Sequence, residues 1–363
     1  MLDRSLSIHL ESEAGGGPFW NTQSAPVLLA SSCGNSDLQA PRGRMEPAPN
    51  TTSLDQPSGL LLTGFPGLDH SHHRLVSIPF CVFYLTAFSG NGAILYIIQR
   101  TPSLHEPTYY FLSMLAAVDL GLAMCTLPTT LGLFWFGHRR IGFEACLTQM
   151  YFLHAASMLE SSVLLAMAFD RFVAISRPLR YKAILTEPTV VKIGLAIVAR
   201  ATLSMLPIPF LLQRLTYCRG NSLSHSFCSH PDLMKLACGD VRVNILYGLV
   251  VVLSTAGIDS IFILISYFLI IRTVVKLGAK GRGFKALNTC IAHVCAVLVF
   301  FLPLISLSML YRFGKDVPPL VNTVVAYVYL IVPPALNPII YSIKSKHIRK
   351  AMGRILLRKT DPL

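Results

Sequence analysis

Charge is scarce in this sequence. Asp, Glu, Lys and Arg make up 13% of its 363 residues, where soluble domains carry roughly 25%. So few charges cannot cover a water-facing surface, which excludes a soluble protein even though the length would allow two or three domains. Catalytic signatures are missing too. No His-Glu-x-x-His and no Gly-x-Ser-x-Gly stands where a zinc ion or nucleophile would need it, which argues against an intramembrane hydrolase. No inverted repeat relates the two halves of the chain, which weighs against a transporter or channel, the main alternative of another class. The first 44 residues hold no apolar core long enough for a signal peptide.

Apolar residues are abundant, 53% of the chain, and they are gathered into runs. A bilayer core of about 30 Å takes about 20 apolar residues in a helix. Seven windows meet that length: 76–98, 109–136, 145–169, 193–212, 244–271, 290–311 and 320–343. The expected fold is an all-α membrane protein, a seven-transmembrane helix bundle followed by a short amphipathic cytoplasmic helix. Its parts are a disordered N-terminal extension (1–44), an extracellular N-terminal segment (45–75), the bundle (76–343) and a cytoplasmic tail (344–363). Met45 opens a segment that would serve as a start by itself, so 1–44 reads as an upstream extension. The first span then acts as an uncleaved signal anchor.

The net charge of +13 does not imply nucleic acid, because the basic residues fall between apolar runs rather than on one face of a soluble domain. Membrane lipid is the partner expected. Most of the 31 lysines and arginines lie in the connections after the first, third and fifth windows and in the tail. That asymmetry makes this side cytoplasmic and puts the N-terminus outside, in a multi-pass plasma-membrane protein. Asn50-Thr51-Thr52, the one Asn-x-Ser/Thr sequon, falls on the outer side, where glycosylation is open to it. Cys146, Cys218, Cys228 and Cys238 also fall outside, near window ends. Outside thiols oxidise, so two bridges are expected, with three pairings open.

The third window ends in Met167-Ala168-Phe169-Asp170-Arg171, with Arg177, Arg180 and Lys182 close behind. This stretch does not stand alone. Gly90-Asn91 lies in the first window, and Leu104-His105-Glu106-Pro107-Thr108-Tyr109-Tyr110-Phe111-Leu112 enters the second. Lys285-Ala286-Leu287-Asn288-Thr289-Cys290 with His293 opens the sixth, and Pro334-Ala335-Leu336-Asn337-Pro338-Ile339-Ile340-Tyr341 lies in the seventh. Together and in this order, over about 45–359, they resemble the odorant receptors among rhodopsin-like G-protein-coupled receptors. Leu62-Thr63-Gly64-Phe65-Pro66-Gly67-Leu68 and the long second outer loop resemble the class I, fish-like subgroup (family 51/52-type).

That resemblance implies a small-molecule odorant as ligand and a heterotrimeric G protein of the stimulatory olfactory type as partner, raising cyclic AMP. It implies no enzyme activity. Cys146 would pair with Cys228 and Cys218 with Cys238. Asp170, Arg171, Tyr267, Tyr341, Asn337 and Pro338 would form the G-protein switch, Asp170 holding Arg171 at rest. The sequence departs from the family's pattern at Phe172, usually Tyr, at Ser176, usually Cys, and at Arg74-Leu75, usually aromatic. These departures keep open a non-olfactory or weakly signalling rhodopsin-like receptor, Phe172 lacking a hydroxyl that would face the G protein.

Charges inside hydrocarbon are costly and usually face the bundle interior. Asp119 and Glu160 stand near mid-span, where two carboxylates either share a proton or hold a cation. Resemblance suggests a sodium ion there, near Asn91 and Asn337, and no other cofactor. Asp259 and His293 are expected to meet across the bundle, or else to be buried with local hydrogen bonds; Arg200 has no evident partner. Prolines 207, 209, 303, 333, 334 and 338 are expected to kink spans four, six and seven. A polar-anchored, mainly apolar pocket is expected from Ser308 and Arg312, one helical turn apart, and His154. Arg312 clamps a carboxylate in that reading; in the other it snorkels to the interface.

Overall fold

The computed structural model describes residues 57, 59–65, 70–276, 282–314 and 317–357. The sequon at Asn50 and the extension 1–44 lie outside them. Seven helices are long and apolar enough to cross a membrane: Leu75–Arg100, Pro107–Phe136, Phe143–Ser176, Glu187–Gln213, Arg242–Lys276, Cys290–Phe313 and Pro319–Lys344. They are spans one to seven below. Each contains most of an expected window, and the helices overrun the apolar runs, most of all at the Asp170-Arg171 end of span three. The protein is a seven-helix membrane bundle.

Span one belongs to α1 (His70–Arg100), span two is α2 (Pro107–Phe136) and span three is α3 (Phe143–Ser176). A short α4 (Tyr181–Ile184) leads to span four, which is broken into α5 (Glu187–Met205) and α6 (Pro207–Gln213). The break falls at Leu206, because Pro207 has no N–H to continue the ladder. α7 (His230–Leu236) lies in the following loop. Span five joins α8 (Arg242–Val252) to α9 (Ser260–Lys276) through a π-helical turn, Leu253–Asp259. Spans six and seven belong to α10 (Arg282–Phe313) and α11 (Pro319–Lys344), and α12 (Lys346–Leu357) closes the chain. In α10 and α11 the prolines sit inside continuous helices.

Span three is the axis of the bundle: 67% of its apolar window is buried, against 22% for span five. The core runs from Leu104 and Phe111 through Leu164 and Ala168 to Phe300 and Tyr327. α2 starts with Pro107 in its first turn and ends at Gly137, whose φ of 67° is the left-handed conformation that glycine adopts freely. α12 is amphipathic, burying Ile348 and Ala351 while Lys346, Arg349 and Lys350 stay exposed.

One small sheet was not legible in the sequence. β1 (Leu60–Leu62) lies between β2 (Arg140–Ile141), antiparallel to it, and β3 (Ser222–Leu223), parallel to it. Leu60 and Leu62 point into a cluster with Phe143, Met150 and Leu212, and the next residues carry Phe65 against Phe80, Phe134 and Tyr327. Disulfides Cys146–Cys228 and Cys218–Cys238 sit at the same end of the bundle. This end is called the disulfide end below.

Spans one and seven meet where two sequence motifs coincide. A Cβ on Gly90 would lie 2.7 Å from Cβ and Cγ of Pro338, so only glycine admits this approach. Pro338 cannot donate to the carbonyl of Pro334, four residues back. Asn91 does so instead: its Nδ2 donates to Pro334 O at 2.8 Å and to Ala87 O at 3.0 Å. Asn91→Leu should therefore lower thermal stability by about 1–3 kcal/mol, the cost of an unsatisfied buried carbonyl. Gly90→Leu should abolish folding. Melting of the purified protein in detergent checks the first, and the folded yield checks the second.

Candidate functional site

The polar residues of the bundle fall into layers along its axis. At one end Asp170 is buried on α3 and accepts three contacts. Thr108 Oγ1 donates at 2.8 Å, Tyr181 OH at 2.6 Å, and Arg171 Nη2 pairs with it at 3.2 Å. Burial, and then the Asp170 charge, push the Tyr181 phenol above its ordinary range, so it stays protonated as a donor. Arg171 is within electrostatic reach of Tyr267, His293 and Tyr341. His293 Nε2 lies 2.9 Å from the carbonyl of Leu164, so it carries the proton; Nδ1 is then the acceptor for Tyr267 OH at 2.6 Å. Tyr341 OH points at Met167 Sδ, 3.9 Å away.

Of the two readings of Asp259 and His293, the structure shows burial with local hydrogen bonds; the two do not meet. Asp259 is taken by Arg200, whose Nη1 lies 2.9 and 3.0 Å from its two oxygens, and by Ser161 Oγ at 2.6 Å. Arg200, without an evident partner in the sequence, thus has one, on span five. Phe172 packs half-buried against Ile270, Val274 and Cys290, facing spans five and six within the bundle. Ser176 Oγ lies 3.3 Å from Thr273 Oγ1, linking the ends of spans three and five.

At mid-span the structure brings Asp119, Glu160 and Asn337 together. Asn337 Nδ2 is 3.1 and 3.3 Å from the Asp119 oxygens and 3.3 Å from Glu160 Oε1. One amide cannot neutralise two buried carboxylates. Glu160 Oε2 and Asn337 Oδ1 are buried without any hydrogen-bond partner. Asn91 is engaged with the span-seven backbone and does not join the cluster. Among the described residues no group of three or more His, Cys, Asp or Glu could hold a metal ion, so any cation here would rest on two carboxylates and an amide oxygen.

At the disulfide end, Cys146–Cys228 ties the loop to α3, and Gln149 Oε1 accepts from the Cys228 N–H at 3.0 Å. Ser229 caps α7, accepting from the Asp232 N–H. Asp232 is buried, which pushes its carboxyl up; hydrogen bonding and charge from His225 and Lys235 outweigh that and hold it at about 2. Lys235 also lies over the Tyr311 ring, 5.1 Å from its centroid, so α7 rests on the end of span six next to Arg312. Arg312 and Ser308 are both partly exposed on α10 and form no hydrogen bond or ion pair with described residues. His154 Nε2 is buried with no partner, and His230 of α7 lies within electrostatic reach of it.

His230, Asp232 and Tyr311 had escaped the sequence reading. The run from His225 to Asp232 is visible between two cysteines, but nothing in it says that α7 folds back onto the bundle. A cavity of 490 Å³ opens elsewhere, lined by the sheet residues Leu60, Leu61, Arg140 and Ile141. None of Arg312, Ser308 or His154 borders it.

Burial, helped by the nearby His154, lowers His230 to about 3, against about 6.5 for an exposed imidazole. The folded protein therefore excludes a proton that the unfolded chain binds. Stability contributed at this site should be complete above pH 6.5 and should fall as pH drops from 6.5 toward 3. The slope approaches about 1.4 kcal/mol per pH unit. Melting temperatures between pH 7.5 and 5 should show the decline, and His230→Gln should make it shallower.

Comparison with known proteins bears on the chain as a whole. Residues 80–359 match the family model described as olfactory receptor. Human olfactory receptor 51G2 is 54% identical over 289 residues, 80% of this chain and 92% of that receptor. Human olfactory receptor 51L1 is 52% identical over 300 residues, covering 82% and 95%. Human olfactory receptor 51I2 is 50% identical over 303 residues, covering 84% and 97%. A match of this length and identity, on a seven-span bundle, leaves no room for an enzyme, and the chain belongs to the olfactory receptor family of G-protein-coupled receptors.

Proposed function

We propose that this odorant receptor takes a small volatile acid or similarly polar ligand at the disulfide end of the bundle. The observation carrying this reading is the set of unspent polar groups there: Arg312 without an acidic partner among the described residues, Ser308 without a bond, and the orphaned Nε2 of His154. A guanidinium can hold a carboxylate through two parallel bonds, while a hydroxyl and an imidazole nitrogen orient the rest. His230, beside His154, adds a second imidazole. The disulfide end faces outside in this proposal, as oxidised cysteines and the basic residues of the opposite end support.

Ligand binding shifts a pre-existing equilibrium toward a state whose Asp170–Arg171 end is open. In that state Arg171 leaves Asp170 for Tyr267 and Tyr341. The open face engages a heterotrimeric G protein of the stimulatory olfactory type, and cyclic AMP rises. The mid-span cluster is proposed to hold a sodium ion: Glu160 Oε2 and Asn337 Oδ1 are unpaired acceptors, and hard oxygen donors suit a hard cation. Asp119, Glu160 and Asn337 would hold it, and its single charge would offset one of the two carboxylates.

Arg312→Ala should abolish the cyclic AMP response to straight-chain carboxylic acids while surface expression persists. An unchanged dose–response curve for a responding acid removes Arg312 from the pocket. Sodium chloride should raise the melting temperature of the purified receptor above that in equimolar choline chloride, and Glu160→Gln should cancel the difference. Equal melting in the two salts for the unmodified receptor rejects the sodium site.

A further inference from the structure

Span five contains one turn that is not α-helical. Over Leu253–Asp259 the helix widens to the π form, which inserts one extra residue between α8 and α9. A π turn has an intrinsic weakness, because the change of ladder leaves backbone carbonyls without their usual donor. In water that is cheap, but in hydrocarbon each unmet group costs several kcal/mol. Here a carbonyl of the turn is met from another helix: Arg200 Nη2, from span four, donates to Ser254 O at 2.8 Å. Ser161 Oγ, from span three, gives its one proton to Asp259, which ends the turn, at 2.6 Å.

The other arm of the same guanidinium is equally occupied. Arg200 Nη1 donates to both oxygens of Asp259, the last residue of the π turn, and to Ser162 Oγ at 2.8 Å. Arg200 therefore grips the turn at its second residue and at its last. Asp259 is buried, while the Arg200 side chain keeps 31% exposure. A lysine has the charge for the ion pair but not the planar fork that reaches a carboxylate and a carbonyl at once.

The extra residue sets how the two halves of span five are rotated against each other. Relaxing the turn to an α-helix would rotate one half against the other by about 100° and shift it by about 1.5 Å. Both halves have work that fixes their orientation. In α8, Gly248 lies under the His230 ring; a Cβ there would be 3.2 Å from His230 Cε1, so a bulkier neighbour turned into this place would collide. Tyr247 OH donates to Ser204 O at 2.9 Å. In α9, Tyr267 bonds His293 and Thr273 meets Ser176.

We propose that Arg200 is a positioning residue: by capping the Ser254 carbonyl while pairing with Asp259, it holds span five in its π register, so that Gly248 sits under His230 while Tyr267 faces His293. The register stands whatever ligand the receptor takes. Its bearing on ligand recognition rests on the proposed function, through His230 and His154.

Two pairs of cysteines report on the register without an odorant, in a background with Cys33, Cys81, Cys125, Cys290 and Cys295 changed to Ala. Ser204→Cys with Tyr247→Cys, joined by a bifunctional thiol reagent, reads the half above the turn. Ser176→Cys with Thr273→Cys, joined as a disulfide, reads the half below. Cross-linked peptides are identified by mass spectrometry in total membranes, so poor trafficking does not remove the readout. Arg200→Met with Asp259→Leu removes the cap without leaving a buried charge. In it, one pair should stop forming and the other should persist, and Arg200→Lys should behave the same way. Both pairs retained in the double variant overturns the proposal, since the register then needs no cap. Both pairs lost also overturns it, since Arg200 then holds the whole bundle rather than a register. Both pairs retained in Arg200→Lys shows that charge alone suffices and overturns it as well. Loss of the acid response in Arg312→Ala leaves these outcomes untouched, so the two readings fail separately.

Discussion

Hydrocarbon offers no hydrogen bonds, and most of what is specific in this bundle follows from that one constraint. Every irregularity in a spanning helix exposes a backbone group that water cannot reach. The protein answers with side chains from neighbouring helices. Pro338 frees the carbonyl of Pro334, and Asn91 takes it. In the π turn the carbonyl of Ser254 accepts from Arg200. His293 donates to the carbonyl of Leu164 and so becomes an acceptor for Tyr267. The first two of these contacts tie two helices together at the place where one of them is irregular. The weak points of the individual helices thus become the fixed points of the bundle.

The mid-span layer follows a different logic. Asp119 and Glu160 face one another across a single amide, and acceptors there remain open. The Asp170, Asp259 and Asp232 carboxylates, by contrast, each have a cationic or hydroxyl partner. An under-filled acidic cluster between partnered carboxylates concentrates negative potential at one depth of the bundle. The Asp170–Arg171 layer below it is held by a loop residue, Tyr181, and by Thr108 of span two, so its resting contacts reach beyond its own helix.

The spans were legible because length and apolarity are properties of a run of residues and need no partner. The motifs at Gly90-Asn91 and at Asn337-Pro338 were also legible, yet that each completes the other was not. The Arg200–Asp259 pair could not be read at all. Its geometry depends on a turn with one residue too many, and periodicity arguments assume a constant number of residues per turn. Asp259 is buried and faces span four, where the sequence pointed to no partner for it. β1 was hidden for another reason: three residues reading Leu-Leu-Leu carry no alternation, and their pairing partners are far away in sequence. The direction of Phe172 was missed because the family pattern described a hydroxyl, while the ring's surroundings depend on how spans three, five and six pack.

The small sheet also constrains the order in which the chain can be assembled. β1 is its middle strand, and Thr63 bonds to Leu223, 160 residues further on. The segment that carries β1 therefore meets β2 after two spans have followed it, and β3 only after four. At ordinary rates of synthesis that wait is on the order of ten to thirty seconds. Through this interval Leu60 and Leu62, which end up fully enclosed, face water or whatever the translocation machinery offers. The end of the bundle that carries the disulfides is thus closed by a segment that precedes every span, and only after the later parts have arrived.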